Sequence, residues 1–223
     1  MIPVVIVIGS VLASIAVVAM VIVLVRRYER QRTEAMHALA DELGLEFIPE
    51  EVPELMESIG HLHLFNIGHG RTMKNVIVGN ANDIDLAIFG YQYTTGGGQS
   101  QQTISQTVMS FRSPKLNLPD FELRPESVFH KIGKVLGYQD IDFASHPDFS
   151  KQYLLRGPDE DAVRAMFTPE LLSFFESQEK VSAEASGNLL LFYRAGKRLN
   201  PEKIRTFMEE GFAIFGQMAS PDS

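Results

Sequence analysis

The apolar and polar positions divide this chain into two unequal parts. Residues 2–25 contain no charged side chain, whereas charged and apolar positions alternate through the rest. A helix of that length spans roughly 36 Å at about 1.5 Å per residue, and the hydrocarbon core of a bilayer is about 30 Å thick. The pattern therefore predicts an N-terminal transmembrane helix in residues 1–25. The alternatives are a buried core helix, which should show a polar face, and a cleaved signal peptide, which should begin with basic residues.

The residues after the apolar stretch predict the orientation of this helix. They read "RRYERQR", with Arg26, Arg27, Arg30 and Arg32 against the single Glu29. Because positive charge near a span stays on the cytoplasmic side, we expect an outward N-terminus and a cytoplasmic C-terminal domain. The four arginines are the candidate contacts to anionic lipid headgroups.

Residues 26–44 are predicted to form a basic juxtamembrane segment followed by a stalk helix. Met36, Leu39, Ala40 and Leu43 repeat at helical spacing and make one apolar stripe, and Gly44 fits the C-terminal cap. Residues 45–223 are then the soluble domain, with a division into two subdomains near residue 125 as an alternative.

Strands dominate the first half of that domain. "HLHLFNIG" (61–68) alternates and predicts a strand with His61 and His63 on one face. "DIDLAIFGYQYTT" and "TISQTVMSF" predict a long hairpin around a loop of residues 96–102, with Leu86 and Ile88 on one face and Ala87 and Phe89 on the other.

The second half mixes helices and strands. Pro114, Pro119 and Pro125 argue against regular central strands in that stretch, and Pro125 is placed as the start of a helix to about Leu136. A strand at 152–156, two helices, a hairpin turning at Gly187-Asn188 and a C-terminal helix after Asn200-Pro201 follow. The expected hairpin face consists of Val181, Ala183, Ala185, Leu190 and Phe192. This order predicts an α+β fold, a mostly antiparallel sheet with helices packed on one face.

Charge and cysteine content narrow the classes of partner. The chain carries a formal net charge of −8, and residues 33–223 carry about −11 once the basic segment is set aside. Such a surface repels phosphate backbones, so we expect no nucleic acid partner. The absence of cysteine excludes disulfides and thiolate chemistry.

The hairpin loop is the candidate binding loop. It lies within "YQYTTGGGQSQQTISQTV", and its residues are Gly96, Gly97, Gly98, Gln99, Ser100 and Gln101. A phosphate-binding P-loop needs a lysine and a following helix, and this segment has neither. An anion-binding nest of backbone N–H groups and a mobile hairpin tip are the alternatives to a loop that hydrogen-bonds a protein partner.

A divalent metal site is the second hypothesis about chemistry. His61 and His63 at alternate strand positions have a spacing that metal sites use, and Asp140 and Asp142 would share a strand face. Solvent-facing side chains are the simpler interpretation of both pairs. No cofactor is predicted otherwise, and G-x-S-x-G, H-E-x-x-H and kinase motifs are not found.

The one-span N-terminus together with "LNLPDFELRPE", "YLLRGPDEDAVRAMF" and "LLFYRAGKRLNPEKI" resembles uncharacterised bacterial single-pass membrane-anchored proteins. The resemblance implies a bacterial inner-membrane location and no activity. The sequence therefore predicts a membrane-tethered cytoplasmic interaction or assembly module. The alternatives are a membrane-anchored metal-dependent enzyme and a small-ligand sensor.

Overall fold

The computed structural model describes residues 2–127 and 139–219, without the side chains of residues 2–11, 13 and 99. Its strands are β1 (Glu46–Ile48), β2 (His69–Ala81), β3 (Ile84–Thr95), β4 (Gln102–Arg112), β5 (Leu118–Pro125), β6 (Tyr153–Arg156), β7 (Ser182–Gly187) and β8 (Leu189–Tyr193). Its α-helices are α1 (Ile2–Leu43), α2 (Pro53–Ile59), α3 (Pro147–Gln152), α4 (Glu160–Met166), α5 (Pro169–Glu176) and α6 (Ile204–Met218). Short 3₁₀ helices span His63–Asn66, Gly98–Ser100 and Pro201–Lys203. The helix predicted to run to about Leu136 falls largely outside these residues.

The strands form a single eight-stranded sheet in the order β1-β2-β3-β4-β8-β7-β5-β6. Every neighbouring pair is antiparallel. The predicted α+β class with an antiparallel sheet is confirmed. Strands from before and after residue 125 pair directly, since β4 lies beside β8.

Helices cover both faces of this sheet, where one covered face was expected. Leu86 and Ile88 pack in one cluster with side chains of α1, α4, α5 and α6. Ala87 and Phe89 belong to a second cluster with Ile59 of α2 and with the 3₁₀ helix that follows it. Successive strand residues point to opposite faces, so this alternation places the two clusters on opposite sides of the sheet.

Both predicted hairpins are present. β3 and β4 pair over their full length, from Asp85 opposite Arg112 to Thr95 opposite Gln102. β7 and β8 turn through Gly187-Asn188, and Gly187 has a φ of 58°, which a two-residue hairpin turn requires. The face predicted for the second hairpin is confirmed, because all five of its side chains are buried in the first cluster.

Two local predictions were wrong. The stretch 61–68 forms a turn and a 3₁₀ helix, because Leu62, Leu64 and Phe65 are all buried and a strand would have turned adjacent side chains to opposite faces. The proline-containing stretch 118–125 forms β5, an internal strand. Its prolines are the second and last residues of the strand, and its register with β7 shifts beside Pro119.

The predicted transmembrane helix, and with it the single-pass membrane assignment, is contradicted. Within the described part of the chain, no helix combines the length and the apolar character that crossing a bilayer needs. The uncharged stretch of α1 ends at Val25. Beyond it, α1 continues without a break through the arginines to Leu43.

The C-terminal half of α1 is part of the folded domain and not a separate stalk. Met36 and Ala40 are buried against the sheet, as the apolar stripe predicted. Glu29 accepts two hydrogen bonds from the guanidinium of Arg198, at 2.6 and 2.5 Å. Arg32, a predicted lipid contact, is buried instead, and its Nη1 donates to the Leu199 carbonyl at 2.6 Å.

Close approach of α6 to the sheet depends on Gly211. A Cβ at this position would lie 2.5 Å from the Met109 sulfur, whereas a Cβ at Gly216 on the same helix would meet nothing within 4 Å. We expect Gly211→Ala to lower the free energy of unfolding by about 1–2 kcal/mol, since overpacking outweighs the gain in helix propensity.

The matched control is Gly216→Ala, which should leave that free energy unchanged or raise it by up to about 1 kcal/mol. Urea denaturation of the three proteins measures both differences. An equal change at the two glycines would contradict the close contact.

Candidate functional site

The predicted binding loop is an ordered hairpin tip. It closes with a 3₁₀ helix over Gly98–Ser100, and the Ser100 amide and hydroxyl donate to the Gly97 carbonyl at 3.2 and 2.9 Å. The described side chains of the tip are exposed. Gly96 has a φ of 73°, and a Cβ there would lie 2.5 Å from the Ser100 carbonyl oxygen, so the turn itself requires this glycine. A protein-contacting role for the tip stays a prediction.

Neither of the two predicted metal-ligand pairs lies on a strand, where both were expected. His63 opens the 3₁₀ helix over β5–β7, and His61 is exposed in the turn before it. Asp140 and Asp142 lie in irregular backbone, where Asp140 Oδ1 accepts from the Leu155 amide at 3.0 Å. Burial raises the pKa of Asp140. Within residues 2–127 and 139–219, no three or more His, Asp or Glu side chains are gathered so that they could hold a metal ion.

The structure contains a cluster of charged side chains that was not predicted from the sequence. The cluster crosses β5, β6 and β7, at the end of the sheet away from β1. Glu122 of β5 lies opposite Arg156 of β6 and also opposite Glu184 of β7. These side chains face away from the first hydrophobic cluster, which takes the alternate residues Phe121 and Leu123. The segment His61–Asn66 lies over them.

Glu184 is the most deeply buried member of the cluster, with 1% of its surface exposed. Its Oε1 accepts from the Tyr193 hydroxyl at 2.8 Å, and the Leu64 amide donates to both carboxylate oxygens at 3.2 and 3.1 Å. Burial, and next the charge of Glu122, raise the pKa of Glu184 to about 7. Burial therefore favours the protonated form of this acid more strongly than water does.

Arg124 supplies the nearest counter-charge. It is 2% exposed and its Nε forms an ion pair with Glu122 Oε1. Burial raises the pKa of Glu122 in spite of this pair. His63 Nε2 lies 3.5 Å from the same oxygen, a distance at which the contact is electrostatic and not a hydrogen bond. Burial first, and then Arg124 and Arg156, lower the pKa of His63 to about 4, so the ring is neutral at pH 7.

A cavity of about 370 Å³ opens over this cluster. Glu122 and Glu184 are in its lining together with His63, Asn66 and Arg156. Small-molecule sites in proteins usually measure about 300–1,000 Å³ and combine apolar walls with a few placed polar groups. The cavity therefore has the size and the mixed lining of a ligand site.

The sequence does contain a signal for this cluster. "VSAEASG" places Glu184 between small residues in a strand whose other face is apolar, and "DFELRPE" places Glu122 between the large apolar residues Phe121 and Leu123. When the pairing of strands is unknown, a charged residue at the centre of a strand is expected to face solvent. Because β5 and β7 are separated by more than fifty residues, their proximity follows only from the sheet order.

The raised pKa of Glu184 predicts a specific dependence of stability on pH. Its folded pKa of about 7 exceeds the ordinary glutamate pKa of 4.5, so between these two pH values the folded state holds a proton that the unfolded state releases. This acid therefore lowers stability as pH rises from about 4.5 to 7, by about 3 kcal/mol in all.

Glu184→Gln removes that titration and keeps a hydrogen-bond acceptor for Leu64. We expect the stability of the wild-type chain relative to Glu184→Gln to fall between pH 5 and pH 8, measured by urea denaturation. A pH-independent difference would show that the carboxyl group titrates normally. Asp148→Asn, at an exposed acid, is the matched control and should give no such trend.

Comparison with known proteins adds a likeness of fold. No family model and no curated protein matches the chain. The chain is similar to the crystal structure of the mycobacterial trehalose monomycolate transport factor A, TtfA, with a TM-score of 0.60 and 14% identity, over 84% of this chain and 92% of that chain. At this identity, the likeness shows that the two chains share a fold.

Proposed function

We propose that this chain is a binding module that holds a small polar molecule in the cavity over Glu122 and Glu184. The observation that carries the proposal is the burial of Glu184 at the cavity, where its carboxyl group has a pKa of about 7. Burying an ionisable group lowers stability, and such groups concentrate at functional sites. Apolar side chains of similar size at these strand positions would have packed without that cost.

The contacts of Glu184 also suggest how a bound molecule could be sensed. The Leu64 amide donates to this carboxylate, so the acid fixes the 3₁₀ helix that forms one wall of the cavity. A molecule that takes one of the two carboxylate oxygens weakens that hydrogen bond. Occupancy of the cavity then alters the position of His61–Asn66, a surface that another protein can read.

The protein of similar fold, TtfA, is named as a trehalose monomycolate transport factor. We carry no residue of that protein over to this chain. The likeness at 14% identity concerns the fold, and the proposal rests on the cavity and its buried acid.

Filling the cavity tests the proposal. Ser186 lines the cavity and is partly buried, so Ser186→Phe should occupy the space that a ligand needs. We expect a panel of small polar molecules, screened by saturation-transfer NMR against the full chain, to yield binders that Ser186→Phe weakens at least tenfold.

Thr103→Phe is the control, because it adds the same ring to an exposed position on β4. It should leave the same binders unaffected, and thermal unfolding should show that both variants are folded. Binders that tolerate Ser186→Phe, or a panel without any binder at millimolar concentration, would refute a ligand site in this cavity.

A second candidate function is protein contact through the β3–β4 hairpin. β4 pairs with β3 from Gln102 to Arg112, but with β8 only from Val108 to Arg112. The outer backbone edge of Gln102–Ser105 is therefore not paired by β8, and strand edges of this kind accept extended peptides. The neighbouring exposed tip is uncharged, which suits contact with a partner of either charge.

Shortening the tip tests the second candidate. Replacing Gly96–Gln101 by Asn-Gly keeps Thr95 opposite Gln102 across a two-residue turn, so the fold should persist by circular dichroism. Recovery of a binding protein in a pull-down from the source cells should fall in this variant and in Thr103→Pro, which removes an edge amide. Unchanged recovery in both would refute this use of the hairpin.

A further inference from the structure

The charges around the cavity narrow the class of molecule that it can hold. Two carboxylates, Glu122 and Glu184, lie beside two guanidiniums, Arg124 and Arg156. When both acids are ionised, the four formal charges cancel, and His63 adds none at neutral pH. Because burial raises the pKa of both acids, protonation of one of them leaves a single net positive charge. A ligand with a large charge of either sign would meet a like-charged group at once. The electrostatics of the cavity therefore favour an uncharged ligand.

The geometry of the two carboxylates specifies what the ligand must offer. Directly opposite residues on antiparallel strands have Cα atoms about 4.5–5.5 Å apart, so Glu122 and Glu184 are neighbours in the lining. Ionised carboxylates only accept hydrogen bonds, whereas the Arg156 guanidinium only donates them. A hydroxyl group donates one hydrogen bond and accepts two, so neighbouring hydroxyls can satisfy acids and guanidinium together.

The remaining walls supply apolar contact. Leu62 and Pro158 line the cavity beside the charged groups. A ring with hydroxyls at its edge and C–H groups on its faces can bury the faces against these side chains. The cavity volume of about 370 Å³ can hold one such ring, or part of a molecule with two linked rings.

We propose that the cavity binds a neutral polyhydroxylated molecule of the sugar class, whose adjacent hydroxyls donate to Glu122 and Glu184 while Arg156 donates to a ligand oxygen. This assignment rests on the proposed function and goes beyond it by naming the ligand chemistry. Organic cations and small anions are the competing classes. A metal ion has little support, since the described side chains do not form a group of three or more ligands.

Direct titration with chemically distinct probes tests the assignment. Glucose and maltose represent the proposed class, 1,4-diaminobutane the organic cations, and inorganic phosphate the anions. Isothermal titration of the full chain should detect one or both sugars and show affinities at least tenfold weaker for the amine and for phosphate. Glu184→Gln should weaken sugar binding at least tenfold, because the amide offers one acceptor oxygen where the carboxyl group offers two oxygens.

Two further variants keep the test decisive if Glu184→Gln is unstable. Asp120→Asn changes an exposed acid at the rim and should weaken sugar binding less than fivefold. Ser186→Phe should abolish sugar binding, and thermal unfolding checks that each variant is folded.

The outcomes separate this assignment from the proposed function. If only 1,4-diaminobutane or phosphate binds, and Ser186→Phe removes that binding, the cavity is a ligand site and the sugar class is wrong. If sugars bind but neither Ser186→Phe nor Glu184→Gln weakens them, the sugar lies elsewhere and the assignment is wrong. If Ser186→Phe leaves every binder of the wider panel unaffected, the proposed function fails as well.

Discussion

The hydrogen bonds from the Leu64 amide to the buried carboxylate of Glu184 join the segment His61–Asn66 to one end of the sheet. The sheet has two faces, and the apolar surfaces of α1 and α6 cover only one of them. On the other face, α2 and the 3₁₀ helix cover the end near β2 and β3, while β5, β6 and β7 present charged side chains. The loop over these strands therefore depends on a polar anchor, and Glu184 provides it.

That anchor is tolerated because opposite charges lie nearby. An isolated buried carboxylate would be strongly destabilising, and two that face each other would be more so. Arg124 forms an ion pair with Glu122, and Arg156 lies directly opposite Glu122 on the neighbouring strand. The arginines offset part of this cost, but burial still raises the pKa of both acids, and the charge of Glu122 adds to the shift at Glu184. A cavity over such a group exposes a strong acceptor to any molecule that fits.

Local patterns predicted the elements whose formation depends on neighbouring residues. Gly187-Asn188 fixed a hairpin, alternation assigned Leu86 and Ala87 to opposite faces, and Gly44 ended α1 with a φ of 68°. Local patterns misled where long-range packing dominated. The alternation at His61 and His63 looked like a strand, yet Leu62, Leu64 and Phe65 are all buried in a single turn. Pro119 argued against a strand in this stretch. The strand forms nevertheless, because β5 pairs with β7 with a shift in register beside Pro119.

The sequence by itself determined the antiparallel α+β class, the hairpins and the acidic, cysteine-free surface, because each follows from composition or from residues close in the chain. Tertiary structure alone decided the site. Glu122 and Glu184 are 62 positions apart, and His63 is nearly sixty positions before the first of them. They come together because β7 pairs with β5 while the 3₁₀ helix folds back over both strands. A single sequence does not record which strands are neighbours, since the free energy that selects the pairing is summed over the whole sheet.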